Sequence, residues 1–235
     1  ALSNYIRGFA RFKTSGSTPI DVQLNGLLNL AEIKEFYPLK DLELNGKLNL
    51  NVKVKGGYNK AKRRFPVSEV NVLLNDGRIK TAHFEQALER ISIDGVLTNR
   101  DGTLKNTLMN IKPISFEMGG QPFQLKAAVQ NLENVKYNIT SKGSIDIGKM
   151  YKLFAIKGYD VKGSVFTNVA FSGLQSDAMA GRFDKLNNRG RVVIKEMTFN
   201  SDLFPKSFLV DNGVFSFKQD KMKFDQFKGR YGKSD

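Results

Sequence analysis

The sequence predicts a mainly β fold (a β-rich α+β chain): an elongated, twisted antiparallel sheet of repeated units, curled around an apolar groove and carrying short helices. Three observations predict it. The first is the stretch from Leu42 to Val54. Leu42, Leu44, Leu48, Leu50, Val52 and Val54 occupy alternate positions, interrupted only by Gly46, and the positions between them are Glu43, Asn45, Lys47, Asn49, Asn51 and Lys53. Side chains alternate faces along a strand, so this is one strand with an apolar face and a wet face, roughly 40 Å long at about 3.3 Å per residue. Such a strand belongs to an antiparallel sheet solvated on one side.

The second observation is recurrence. Gly26, Gly46 and Gly56 return as Gly143, Gly163 and Gly173, each 117 positions later (143 − 26, 163 − 46, 173 − 56). The apolar positions between them match without a gap. Leu28 and Leu30 match Ile145 and Ile147, and Ile33, Phe36 and Tyr37 match Met150, Leu153 and Phe154. Leu42, Leu44 and Leu48 match Tyr159, Val161 and Val165, and Val52 and Val54 match Val169 and Phe171. A repeat of this kind argues for an array in which each unit extends a sheet begun by its neighbour. Residues 1–140 read as a first unit, with strands of a preceding unit at 1–25, and residues 141–235 as a second, truncated one. The third observation is that helical periodicity appears only in short stretches between turn signals.

In chain order, residues 5–13 and 20–30 read as strands joined across Ser15 to Pro19. In 31–37 the period changes, and Ile33, Phe36 and Tyr37 predict a short helix ended by Pro38. The long strand then runs to Gly56 and Gly57, followed by a basic loop with Lys60, Lys62, Arg63 and Arg64. Residues 67–74 predict a strand, Asn75-Asp76-Gly77 a hairpin turn, and Arg78 to Thr81 the return strand. Phe84 to Glu89 reads as a helical or irregular turn. Strands follow at 90–98, 103–110, 113–118, 122–130 and 134–147, with turns at Asn99 to Gly102 and Gly119 to Pro122. Asp94-Gly95 is matched by Asn212-Gly213, 118 positions on.

Composition bounds the chemistry. Lys and Arg number 37 against 23 Asp and Glu, a formal charge of +14. That balance favours anionic partners such as lipid headgroups. There is no cysteine, hence no disulfide and no thiolate metal site, and His83 is the only histidine. No phosphate-binding loop, dinucleotide fingerprint or nucleophile elbow is present. The reading is a non-enzymatic protein with no cofactor. No apolar run approaches the ~18 residues of a membrane span. The abrupt first and last residues read as those of an excised piece.

Many strands with one apolar face, and few helices to cover them, leave a sheet that must curl on itself, pack on another sheet or keep a groove. An apolar groove with a basic rim suits a phospholipid or another anionic envelope lipid. Acyl chains are expected against Leu44, Leu48, Val52, Val161, Val165 and Val169, and headgroups beside Lys60, Lys62, Arg63 and Arg64. The alternative is a scaffold whose groove is filled by its own side chains and which binds envelope assembly proteins. Nucleic acid is not an expected partner, because the basic residues are dispersed along strands and carry no recognised motif.

The repeated pattern resembles the AsmA family, within the wider group of repeating β-groove proteins that includes TamB. The residues that carry the resemblance are Gly26-Leu-Leu-Asn-Leu-Ala-Glu-Ile-Lys-Glu-Phe-Tyr37 with Leu44-Asn-Gly-Lys-Leu48. Their second copy is Gly143-Ser-Ile-Asp-Ile-Gly-Lys-Met-Tyr-Lys-Leu-Phe154 with Val161-Lys-Gly-Ser-Val165, and Phe227-Lys-Gly-Arg-Tyr-Gly-Lys-Ser-Asp235 is similar to the family's strand ends. The resemblance implies a periplasmic segment of a Gram-negative protein anchored in the inner membrane outside this stretch, acting in outer-membrane assembly and phospholipid movement. It offers no site residues.

Overall fold

A computed structural model describes residues 4–12, 18–35, 39, 41–59, 61–82, 84–154, 159–201 and 204–232. The first six strands are β1 (Tyr5–Phe12), β2 (Thr18–Asn29), β3 (Leu42–Tyr58), β4 (Val67–Thr81), β5 (Phe84–Asn99) and β6 (Thr107–Met118). The next six are β7 (Gln121–Gln130), β8 (Lys136–Asp146), β9 (Tyr159–Leu174), β10 (Asn187–Ser201), β11 (Phe204–Lys218) and β12 (Lys221–Tyr231). A 3-10 turn (Leu30–Glu35) follows β2, helix α1 (Ile147–Leu153) follows β8, and α2 (Gln175–Met179) follows β9. All twelve strands form one antiparallel sheet in sequence order, open at β1 and β12. The fold is therefore mainly β, as the sequence predicts.

The register aligns the apolar faces into transverse rows. Leu48 faces Leu28 and Leu74, Leu74 faces Ile93, Ile93 faces Ile114, and Ile114 faces Leu125. A parallel row runs Val52, Val70, Leu97, Met109, Val129 and Tyr137. On the opposite face of the first strands, charges pair across neighbours: Lys53 with Glu69 at 3.9 Å, Arg78 with Glu43 at 3.3 Å and Glu89 at 3.5 Å, and Arg90 with Glu117 at 2.6 Å.

The element order repeats as β1–β6 and β7–β12, each with a helical insert after its second strand. β2 and β8 end at Asn29 and Asp146, and β3 and β9 begin at Leu42 and Tyr159, in both cases 117 positions apart. Gly46 (φ 122) and Gly163 (φ 108) each sit opposite a bulge in the following strand, where Asp76 (φ 51) and Glu196 (φ 49) take the left-handed conformation. Residues 140 and 141 lie side by side within β8, so the sheet runs unbroken through that point.

Four local expectations change. Asn75-Asp76-Gly77 is a bulge inside β4, not a hairpin turn, because the left-handed residue that suits a turn also suits an extra residue in a paired strand. Phe84 to Glu89 opens β5 and is not helical: Leu88 is held between Ile79 and Met118, and a bulge at Arg90 (φ 51) follows. The strands expected at 103–110 and 113–118 are one strand, β6, with Pro113 at a register shift between Ile111 and Ile114 that needs no N–H there. The first predicted helix is the 3-10 turn; Phe36, Tyr37 and Pro38 lie outside the described residues, as does His83.

Helix α1 sets the curvature. Asp146 caps it, accepting from the Lys149 amide at 2.9 Å. The helix lies on the apolar face and touches β5, β8 and β9. Along the sheet β5 and β9 are four strand spacings apart, roughly 19 Å, whereas a helix is about 10 Å across. Both can reach one short helix only if the apolar face is concave. Leu153 is fully buried, in a cluster with Leu74, Leu88, Ile91 and Met118. Leu30, Leu48 and Met150 pack against that cluster. The Thr81 hydroxyl donates to the Leu153 carbonyl at 3.0 Å, tying α1 to β4.

Candidate functional site

The accessible surface is 15430 Å², against roughly 10,600 Å² for a compact monomer of this mass. The excess follows from the architecture: a curved single sheet has no second layer over its apolar face. That concave face is the candidate site. Its two ends differ. At the end where β2, β4 and β8 finish, the 3-10 turn and α1 lie across it, and Leu153 and Met150 fill the space between β5 and β9. At the other end are the connections β3–β4, β5–β6 and β9–β10; the last carries α2, and its Leu186, 4% exposed, packs beside Gly173.

By strand alternation and register, the six predicted groove residues share this face. Leu44 faces Ile79, Leu48 faces Leu74 and Val52 faces Val70. Val161 faces Phe199, Val165 faces Ile194 and Val169 faces Gly190. They do not form one contiguous site, because β3 and β9 are six strands apart. Leu48 packs into the cluster beneath α1. Val161 and Val169 are each 8% exposed, covered by their own chain, whereas Leu44, Leu48, Val52 and Val165 are half-buried. The face is thus part filled, most completely near α1.

Of the predicted headgroup residues, Lys60 lies outside the described residues; Lys62, Arg63 and Arg64 are exposed in the β3–β4 loop. Asn59 and Arg64 exchange backbone hydrogen bonds at 2.9 and 3.0 Å, and Arg63 adopts φ 48. The loop docks on the β5–β6 connection: the Phe65 amide donates to the Gly102 carbonyl at 2.9 Å, and Arg64 Nη1 donates to the Asp101 carbonyl at 3.2 Å. The Tyr58 and Phe65 rings lie 5.5 Å apart beside these cations. The open end of the groove therefore carries aromatic and cationic groups together. The sequence reading missed this docking and the stopper role of α1. The signal for the second was present in the matched positions Met150 and Leu153.

The docking surface is rigidified by Asp101. Its carboxylate accepts from the Thr103 hydroxyl at 2.7 Å, the Thr103 amide at 2.9 Å and the Asn106 side chain at 2.6 Å. These bonds, the Thr103 hydroxyl first, hold the Asp101 pKa below its ordinary 3.8, with a smaller contribution from the Arg64 charge. A depressed folded pKa means the stabilisation is complete above 3.8 and is lost as pH falls through the lower folded value. An NMR titration of the Asp101 side-chain carboxyl is expected to give a midpoint below 3.8; a midpoint at or above it means these bonds do not persist in solution.

Among the described residues no helix is long and apolar enough to cross a membrane. No three His, Cys, Asp or Glu side chains gather into a metal-binding group among them. Compared with known proteins, the chain matches no family model, no curated protein and no solved structure.

Proposed function

We propose that the chain holds or conducts phospholipid acyl chains along its concave β face, without catalysis, as a periplasmic segment of an AsmA-like protein in outer-membrane assembly. The observation that carries the reading is the continuous apolar face, concave and without a covering layer, closed by α1 at one end and rimmed by Tyr58, Phe65, Lys62 and Arg63 at the other. Burying acyl methylenes there recovers about 0.8 kcal/mol each, and the rim cations suit a phosphate left at the open end. The resemblance to the AsmA family supplies the compartment and the inner-membrane anchor outside this stretch.

The test is purification without detergent, extraction with organic solvent and mass spectrometry of what is released. The unsubstituted chain is expected to carry phospholipid in stoichiometric amount. Val52→Lys combined with Val165→Lys is expected to carry at least tenfold less, because an ammonium group among acyl chains loses its hydration. Both positions are half-buried, so the lysines can reach water in the empty protein. A lipid-free protein that also refuses labelled phospholipid removes this reading. It leaves the scaffold reading, which one observation favours: the outer edges of β1 and β12 have no strand beside them among the described residues, with Ile6 61% and Phe224 55% exposed, and offer themselves to a strand of a protein partner.

A further inference from the structure

The outer face changes character along the sheet. On β3–β6 acids stand among the cations, and Lys53, Arg78, Arg90 and Lys112 are each paired with a carboxylate across strands. On β7–β12 the register builds two transverse rows without an acid. One carries Lys142, Arg191 and Lys223, and the next carries Lys126, Arg189, Lys218 and Lys221, with only neutral residues between. Lys223 pairs with Asp225 at 2.8 Å, a residue outside both rows. The other six have no carboxylate within ion-pairing distance among the described residues.

This face is also dented. A depression of about 420 Å³ beside Gly190 is walled by Lys126, Lys142 and Arg189, with Thr140 and Asn168 as further donors. A neighbouring one of about 630 Å³ holds Arg191 and Lys195 over Phe166, Val193 and Val214. No carboxylate lines either. Concave sites of one sign concentrate counter-ions far more than a flat charged surface does, and arginine favours phosphate through paired N–H donors.

We propose that these two depressions form one binding site, on the face opposite the groove, for a ligand bearing at least two phosphate groups. The first depression takes one phosphate on Lys126, Lys142 and Arg189, and Arg191 and Lys195 take the other. Phe166, 44% exposed, and its valine neighbours give an attached apolar part somewhere to lie. Single-stranded nucleic acid fits less well, because the two cation rows carry no interleaved aromatic on which bases could stack. The site stands independently of the acyl-chain reading: no groove residue contributes a cation to it.

The test uses the whole chain and two probes: inorganic tripolyphosphate by titration calorimetry, and vesicles containing cardiolipin, a lipid with two phosphates, by flotation against neutral phosphatidylcholine vesicles. Both interactions should weaken with added salt. Lys142→Ala combined with Arg189→Ala is expected to weaken binding about tenfold, each exposed cation contributing about three- to fivefold. Lys53→Ala, on the acid-balanced part of the face, is expected to leave it unchanged, and neither variant should shift thermal unfolding. Binding of tripolyphosphate with vesicles ignored supports the site with a soluble ligand. Binding of vesicles that falls further in Phe166→Ser supports it with a lipid headgroup. Failure of both probes, undiminished binding by the double variant, or tighter binding of an oligonucleotide than of either probe overturns it.

Discussion

Leu153→Ala is expected to lower the unfolding free energy by about 3 kcal/mol, within the range for truncating a buried leucine. Leu153 is the fully buried side chain at the centre of the cluster, and its removal leaves a cavity between α1 and strands β4 and β5. The Thr81 hydrogen bond reaches the Leu153 backbone, so the helix stays tethered while its packing is lost and the surroundings cannot collapse fully. Urea unfolding followed by circular dichroism measures the loss, with Met179→Ala, at a position 80% exposed, as the comparison expected to show no change. A cost for Leu153→Ala below about 1 kcal/mol would mean that α1 rests loosely on the sheet and does not set its curvature.

Gly143→Ala is expected to cost about as much for a different reason. Its φ of 122 is a conformation that side chains rarely adopt, worth about 1–3 kcal/mol of strain. The added Cβ would also stand 2.1 Å from the Pro122 oxygen and 2.7 Å from the Phe123 Cα, both backbone atoms of the paired strand β7. Backbone cannot rotate aside as a side-chain tip can, so β7 and β8 must separate locally. Gly95→Ala is the contrast. A Cβ added there would have nothing within 4 Å, and the φ of Gly95 is ordinary. At that position the substitution is expected to be neutral or to stabilise by up to about 1 kcal/mol, through the lower entropy of the unfolded chain. Equal losses at the two positions in thermal unfolding would refute the distinction.

Much of the fold was legible because period two is a strong signal when one face is apolar. Leu42 to Val54 read directly as strand, and β3 extends it to Tyr58. Gly56 and Gly57 read as a stop, yet they continue the strand opposite Ile20 and Pro19. Local chemistry misled in two places. Asp76 takes the left-handed conformation that a turn needs, but its neighbours go on pairing, so Asp76 and Gly77 become a bulge. Glu85, Leu88 and Glu89 suit a helix, but Leu88 is buried between two strands and tertiary packing overrides the propensity. Helix α2 gave no usable pattern; its Asp177 is held by Arg182 at 2.8 Å, a contact of its own loop. The predicted groove residues share a face because alternation fixes faces. How they spread over that face depends on how far the sheet bends, and the bend depends on α1 reaching β5. The outer depressions were invisible for a similar reason: Lys126, Lys142 and Arg189 are plain in the sequence, but the register that sets β7, β8 and β10 beside one depression is not.

The serial pairing of the strands has a consequence for how the molecule assembles. Residues paired between strands are at most 42 positions apart, the separation of Tyr159 and Ser201. Closing each new hairpin therefore costs little chain entropy, and the sheet can zip forward strand by strand as it grows. The tie from Thr81 to Leu153 spans 72 positions and can form only after β5 to β8 have been laid down between them. Bending is thus a late event. Until α1 docks, the growing sheet is free to lie flatter, with its apolar face bare. The interval between zipping and latching is when the chain is most open to aggregation, and it is short or long according to how fast one seven-residue helix finds its place.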